Sequence, residues 1–246
     1  MLVFYDNAQN LYGRKAPVWA ELGLDMRGRS DVMRESFRSS RIIVETALNL
    51  LDRVGQGLKE SADMRELMNE RLLEQRTLGT SPWWTARYCA DDGQVPELYL
   101  APNTEAEVAF VAARVASLVQ QEGVRPGDIR VVTLSKQLRE WLTRAIAQAV
   151  PGCAVVHVTG QGLVGRDDAV VVTTPHSFKG YDAEVVLVPG VDRFAPKGNS
   201  QPQALYVSLT RARTLLIASA SREGSHYPAR QALLNAFTSV ADQLME

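Results

Sequence analysis

Two short β-branched runs constrain this chain more than any other feature. Residues 170–172 are three consecutive valines, and residues 185–188 read Val-Val-Leu-Val. Unbroken apolar runs of this length, bounded by polar and turn residues, fit strands covered on both faces, the pattern of a buried parallel sheet. Between them runs the polar stretch 173–184, where Thr174, His176, Ser177, Lys179, Gly180 and Asp182 fall close together. A strand that ends in such a loop is where α/β sheets place ligands. A solvated connection with a chance cluster of polar side chains is the other reading, and this stretch alone does not separate the two.

The flanking sequence alternates in the same way. From residue 97 onward the pattern predicts a strand at 98–100, then a helix over 104–121, opened by Asn103 or Thr104 and closed at Gly123. A strand at 129–134, a helix over 136–149 and a short strand at 155–158 follow. Residues 160–168 are rich in turn formers and lead into the valine run. Beyond residue 188, a Pro/Gly/Asn/Ser/Gln-rich loop reaches Gln203. A helix is predicted over 204–213, with Leu205, Leu209 and Ala212 on one face and Ser208 and Arg211 on another. A strand at 215–218 and a closing helix over 228–244 complete the chain. Near the start, residues 1–5 read as a strand and 42–51 as a helix capped by Ser39 or Ser40. Residues 52–96 are the least regular; Leu58, Met64, Leu67, Met68, Leu72 and Leu73 fit an amphipathic helix. Trp83 and Trp84 read as anchors of a loop to the core, in preference to a nucleobase or partner site. Strands alternating with helices in this way make an α/β fold.

Composition closes off several classes. A chain of 246 residues with 46% hydrophobic and 22% charged residues has the balance of a soluble globular protein, with room for one large or two small domains. No run of about 18 apolar residues suggests a membrane span, and no charged-then-apolar leader suggests secretion. A cytoplasmic location is therefore expected. Cys89 and Cys153 have neither metal-site spacing nor a disulfide framework and read as small buried hydrophobes. The net charge of −1 means that any nucleic-acid contact must come from a local patch. His157 and His226 stand in no motif and read as structural. A phosphate-cradling Gly-Lys-Ser/Thr does not occur, and the pairs Asp91-Asp92 and Asp167-Asp168 do not end apolar strands. Without such a cradle there is little to hold Mg-ATP for in-line attack.

Four stretches, in order, resemble signature motifs of superfamily 1 helicases of the UvrD and Rep type. Phe4-Tyr-Asp-Asn-Ala-Gln-Asn-Leu-Tyr12 resembles G-D-x-x-Q-x-I-Y, and Glu35-Ser-Phe-Arg-Ser-Ser40 resembles N-Y-R-S-S. Thr174-Pro-His-Ser-Phe-Lys-Gly-Tyr-Asp182 resembles T-x-H-x-x-K-G-L-E, and Leu205-Tyr-Val-Ser-Leu-Thr-Arg-Ala212 resembles Y-V-A-L-T-R-A. The resemblance implies a three-layer, RecA-like parallel sheet with flanking helices. Residues 1–30 would be a remnant of the first RecA-like domain and linker. Residues 31–246 would be the second such domain, with a helical insertion at about 52–96.

The resemblance also implies roles. Gln9 would sense the terminal phosphate of ATP, Arg38 would fork onto the γ-phosphate, and Arg211 would be the arginine finger. Asp182 would meet the ribose through a side chain one methylene shorter than the family glutamate, with Lys179 and Gly180 shaping the turn beside it. Tyr12, Arg14, Thr174 and His176 would serve DNA. Tyr12 has packing as an equal reading, and Arg14 stands where the family has tryptophan. Arg213 matches no catalytic position and is expected on the surface or facing DNA. ATP and Mg2+ would bind only in a cleft completed by a missing N-terminal RecA-like lobe, in cis or in trans, with none held by this chain alone. Single-stranded DNA or DNA junctions are the implied partners, DNA repair the implied setting, and no membrane is involved. A strand at 1–5 cut off from its native sheet would be disordered or pair with an edge. Two readings compete: a degenerate helicase half that binds DNA or protein without handling ATP, and an unrelated nucleotide enzyme with a doubly wound sheet, which would need a complete glycine-rich phosphate loop that the sequence lacks.

Overall fold

A computed structural model describes residues 39–54, 62–78, 81–87, 89, 92–158, 168–194, 201–223 and 228–245. Gln9, Tyr12, Arg14, Arg38 and His226 lie outside these residues, as does the strand expected at 1–5.

Six strands form one parallel sheet: β3 (Glu97–Ala101), β4 (Ile129–Val132), β5 (Ala154–His157), β6 (Ala169–Thr173), β7 (Ala183–Val188) and β8 (Ala212–Ser221). Their order across the sheet is β3-β8-β7-β4-β6-β5. The valine runs are therefore strands as expected, and β4 lies between them. Period-two alternation hides inside each apolar run and divides its side chains between two cores. Val171, Val186, Val188 and Leu216 point into one core. Val170, Val172, Val185, Leu187 and Leu215 point into the other. The first core is closed by α1 (Arg41–Arg53), α5 (Pro175–Phe178), α6 (Gln201–Leu209) and α7 (Pro228–Leu244). The second is closed by α3 (Thr104–Gln120) and α4 (Lys136–Ala149). This is the three-layer α/β arrangement that the sequence implied.

Local chemistry sets the helix ends. Asn103 is extended and its Oδ1 accepts from Ala106 N at 2.8 Å, so α3 starts at Thr104. Gly123, at φ +70°, turns the chain out of α3 while Val124 N donates to Leu118 O at 2.9 Å. Ser135 Oγ caps α4 through Leu138 N at 3.2 Å. Neither serine caps α1. Ser40 occupies the N-cap position with no side-chain cap bond, and Ser39 Oγ donates instead to Thr210 O at 2.8 Å.

Residues 52–96 differ from the helical insertion expected there. Among the described residues there, beyond the end of α1, one short helix, α2 (Ala62–Asn69), is followed by an antiparallel hairpin of β1 (Leu73–Leu78) and β2 (Ser81–Ala86). Helical spacing of apolar residues runs on to Leu73, but Arg71 takes φ 58° and ends the helix. Arg71 N donates to Met68 O at 3.0 Å and Leu72 N to Leu67 O at 2.8 Å. Trp83 and Trp84 are buried on β2, as core anchors. The buried Glu45 carboxylate of α1 accepts from Trp83 Nε1 at 2.9 Å and from Ala86 N at 3.0 Å. Asn49 pairs with the Trp84 backbone like a neighbouring strand, donating to its O at 2.9 Å and accepting from its N at 2.8 Å.

Gly93 has φ +74°, and a Cβ built there would lie 2.0 Å from Ser40 Cβ. Positive φ and this backbone-to-side-chain approach both require glycine. Gly93→Ala is expected to cost about 2–4 kcal/mol in urea denaturation, the strain and the displaced Ser40 together. A loss under about 0.5 kcal/mol would contradict the close approach.

Candidate functional site

Two stations lie at opposite edges of the sheet. The first is at the starts of β7 and β8. Ala183 is in register with Ala212, and Ala183 N donates to Arg211 O at 3.1 Å. Asp182 and Arg211 are thus neighbours at the N-terminal edge, although 29 positions separate them in sequence (211 − 182). The Ser39–Thr210 bond brings a third segment to the same point. The Ser39 side-chain hydroxyl therefore donates to the peptide carbonyl that precedes Arg211.

The helix expected over 204–213 stops at Leu209, and β8 begins at Ala212. Two hydroxyls turn back on the last turns of α6: Ser208 Oγ donates to Ala204 O at 2.7 Å and Thr210 Oγ1 to Tyr206 O at 2.8 Å. Arg211 occupies the link between helix and strand and is only 1% exposed. The polar face expected of Ser208 and Arg211 is buried along with Leu205, Leu209 and Ala212. Arg213 belongs to β8 and pairs at the surface with Glu184 Oε1 at 3.4 Å. Asp182, Gly180 and Lys179 are all exposed. Gly180 has φ +91° with open space around its Cβ position, so it is needed for the turn and not for a close approach.

The second station follows the C-terminal end of β6. Thr174 Oγ1 caps the single turn of α5, accepting from Ser177 N at 3.2 Å and donating to Ser177 Oγ at 3.0 Å. His176 is exposed. Thr173 lies level with Val132 of β4, whereas Val185 lies level with Ile129, which places Ala183 level with residue 127. Five residues of offset at about 3.3 Å each put the two ends of this loop roughly 16 Å apart along the strands. The polar cluster that is compact in sequence is therefore divided, with Thr174 at one edge, Asp182 at the other, and His176, Lys179 and Gly180 on the connection between them.

The C-terminal edge also holds groups that motif reading missed. Arg139 of α4 donates to Thr133 O at 3.2 Å, Leu134 O at 3.0 Å and His157 Nε2 at 3.1 Å, lacing the ends of β4 and β5 together. His157 is thereby structural, as expected, and burial followed by the Arg139 charge lowers its pKa. Glu107 of α3 is fully buried; its Oε1 accepts from Gly190 N at 2.8 Å and Ser219 Oγ at 2.7 Å. Burial chiefly, with some help from Asp192, raises its carboxyl above 4.5, against its hydrogen bonds and Arg193. A raised folded value means that this stabilising contribution is full below pH 4.5 and declines as pH rises through the folded value. Glu107→Gln is expected to flatten that decline in urea denaturation as pH rises above 4.5, and an unchanged slope would exclude Glu107 as its source.

Cys89 and Cys153 are free and half-buried, and burial pushes the Cys89 thiol up to about 11. Among the described residues no cluster of His, Cys, Asp and Glu suits a metal ion, and no helix is long and apolar enough to cross a membrane.

No protein-family model and no curated protein matches the chain. Solved structures do. The C-terminal domain of a possible DNA helicase from Lactobacillus plantarum WCFS1 superposes with a TM-score of 0.50 at 19% identity, over 82% of this chain and 96% of that one. The chain therefore has the α/β, RecA-like fold of that domain. Weaker likenesses reach arterivirus nonstructural protein 10, a helicase in complex with DNA (TM-score 0.37, 15% identity), and S. cerevisiae Dbp5 bound to RNA and ADP BeF3 (TM-score 0.40, 13% identity). They cover 64% and 61% of this chain, but only 40% and 39% of those two.

Proposed function

We propose that this chain is the second RecA-like lobe of an ATP-dependent DNA translocase of the superfamily 1, UvrD and Rep type, and that its two sheet edges divide the work. One observation carries this reading: Ser39, Asp182 and Arg211 belong to three separate motifs, and the Ser39 hydroxyl bond to Thr210 O and the Ala183–Arg211 backbone bond bring those motifs to one edge. Arg211 and Arg38 would face the phosphates there, with Gln9 reaching the same cleft and Asp182, Lys179 and Gly180 beside the ribose. A guanidinium suits this task because it is always charged and presents a planar fork to phosphate oxygens. At the far edge Thr174 and His176, with Tyr12 and Arg14, would hold single-stranded DNA or a junction. Residues 174–182 join the edges through one helical turn, so a shift at Asp182 has a short covalent route to Thr174.

ATP with Mg2+ would supply the phosphoryl-transfer energy in a cleft completed by a Walker-type first lobe, in cis or in trans. The described residues fit one wall of that cleft and provide no phosphate cradle of their own. Arg211 must leave its buried position to reach a phosphate, which couples its action to lobe closure.

Mixing the chain with a cognate first lobe and measuring DNA-stimulated ATP hydrolysis tests the reading. A gain in rate over the first lobe alone is expected. The burial of Arg211 favours one second reading, a binding module that never handles ATP. DNA binding with no gain in hydrolysis would select it.

A further inference from the structure

On the second face of the sheet, α3 and α4 pack side by side, and an open pocket of about 530 Å3 lies near the start of α3. Its walls are Asn103, Thr104, Glu105, Val108, Trp141 and Glu223. Trp141 is a half-exposed aromatic on α4, and Val108 faces it from α3. Two of the six lining residues are carboxylates and none is a cation. Glu223 is held in place by Thr104, accepting from its N at 3.0 Å and from its Oγ1. These bonds, chiefly, hold the Glu223 carboxyl below 4.5, so it is charged at neutral pH. Glu105 is exposed in the first turn of α3. Two cations, Arg193 and Arg230, also act on the Glu223 carboxylate; Arg193 donates to Thr104 Oγ1, Arg230 to Asp192, and neither is part of the lining.

We propose that this pocket receives an arginine side chain presented by a segment of a partner protein. A guanidinium stacks flat on an indole and forks onto a carboxylate, and Trp141 with Glu105 and Glu223 supplies both partners. A nucleic-acid phosphate is disfavoured, because the Glu223 carboxylate already takes the backbone N–H at the α3 N-terminus where an anion would bind. The pocket is open and broad-mouthed, which suits a side chain on a surface segment better than an enclosed metabolite. It uses no residue assigned to either sheet edge, so it stands or falls independently of the translocase reading.

The test is a titration of the 15N-labelled full chain, following the Trp141 indole N–H resonance assigned with Trp141→Phe. Three probes are used: acetyl-Gly-Arg-Gly-amide, acetyl-Gly-Glu-Gly-amide and an oligothymidylate. A saturable shift is expected with the arginine peptide alone. It should weaken by about fivefold or more in the Glu105→Gln, Glu223→Gln double variant, since removing a charge-assisted hydrogen bond reduces affinity by such a factor. The amide carbonyl introduced by Glu223→Gln can still accept from Thr104, and spectral dispersion checks the fold. Absence of a saturable shift with the arginine peptide overturns the proposal. An equal response to the glutamate peptide or to the oligothymidylate overturns it too, the latter in favour of a nucleic-acid contact.

Discussion

Arg211→Ala is expected to lower DNA-stimulated ATP hydrolysis by about 10³-fold or more in the proposed two-lobe enzyme, the loss that would follow if Arg211 offsets charge on the transferred phosphoryl group. On that proposal the effect would fall on kcat, because the contact would form as charge develops and not when nucleotide first binds. Arg211 is 1% exposed, so alanine also leaves a void and removes a buried cation. Arg211→Lys separates the two effects. Lysine keeps the charge but loses the planar fork, and kcat should still fall by about 10²-fold with the melting temperature changed by only a few degrees. Hydrolysis by Arg211→Ala within tenfold of the parent rate would sink the assignment, whatever happens to stability.

Glu45→Ala should damage the fold as heavily as Gly93→Ala. The buried Glu45 carboxylate accepts from the Trp83 indole and the Ala86 backbone, tying the β1–β2 hairpin to α1. Truncation leaves two buried donors without an acceptor and opens a gap beneath two tryptophans. The expected cost is about 2–4 kcal/mol. For a domain of this size that is a fall of about 5–15 °C in melting temperature. Glu45→Gln, which keeps one acceptor oxygen, should lose about half as much. A fall of less than about 2 °C in the alanine variant would show that the hairpin is held by apolar packing alone.

The regular part of the chain was legible because its signals are local. Valine runs, an Asn103 cap and a Gly123 stop mark β6, β7 and α3 from residues near one another in sequence. Helix α4 begins and ends where its spacing predicted, Lys136–Ala149. Legibility failed where long-range contacts override a local pattern. The apolar spacing from Leu67 to Leu73 looks continuous, but Leu73 pairs with Ala86 and Arg71 turns the chain between them. Residues 204–213 look helical to the end, but Ala212 pairs with Ala183, so the chain extends two residues after Leu209. Arg139 and Trp141 belong to no motif, and their places became visible only once α4 lay on the sheet.

Side-chain type and spacing determined that this chain builds a buried parallel sheet, and the resemblance to helicase motifs singled out Arg38, Thr174, His176, Asp182 and Arg211. They did not determine which of those residues stand together. That was decided by strand order and register, set by backbone pairing between strands far apart in sequence, and by tertiary contacts such as the Ser39 hydroxyl on Thr210 O. The loop crossing from the end of β6 to the start of β7 separates groups adjacent in sequence, while parallel pairing joins groups far apart.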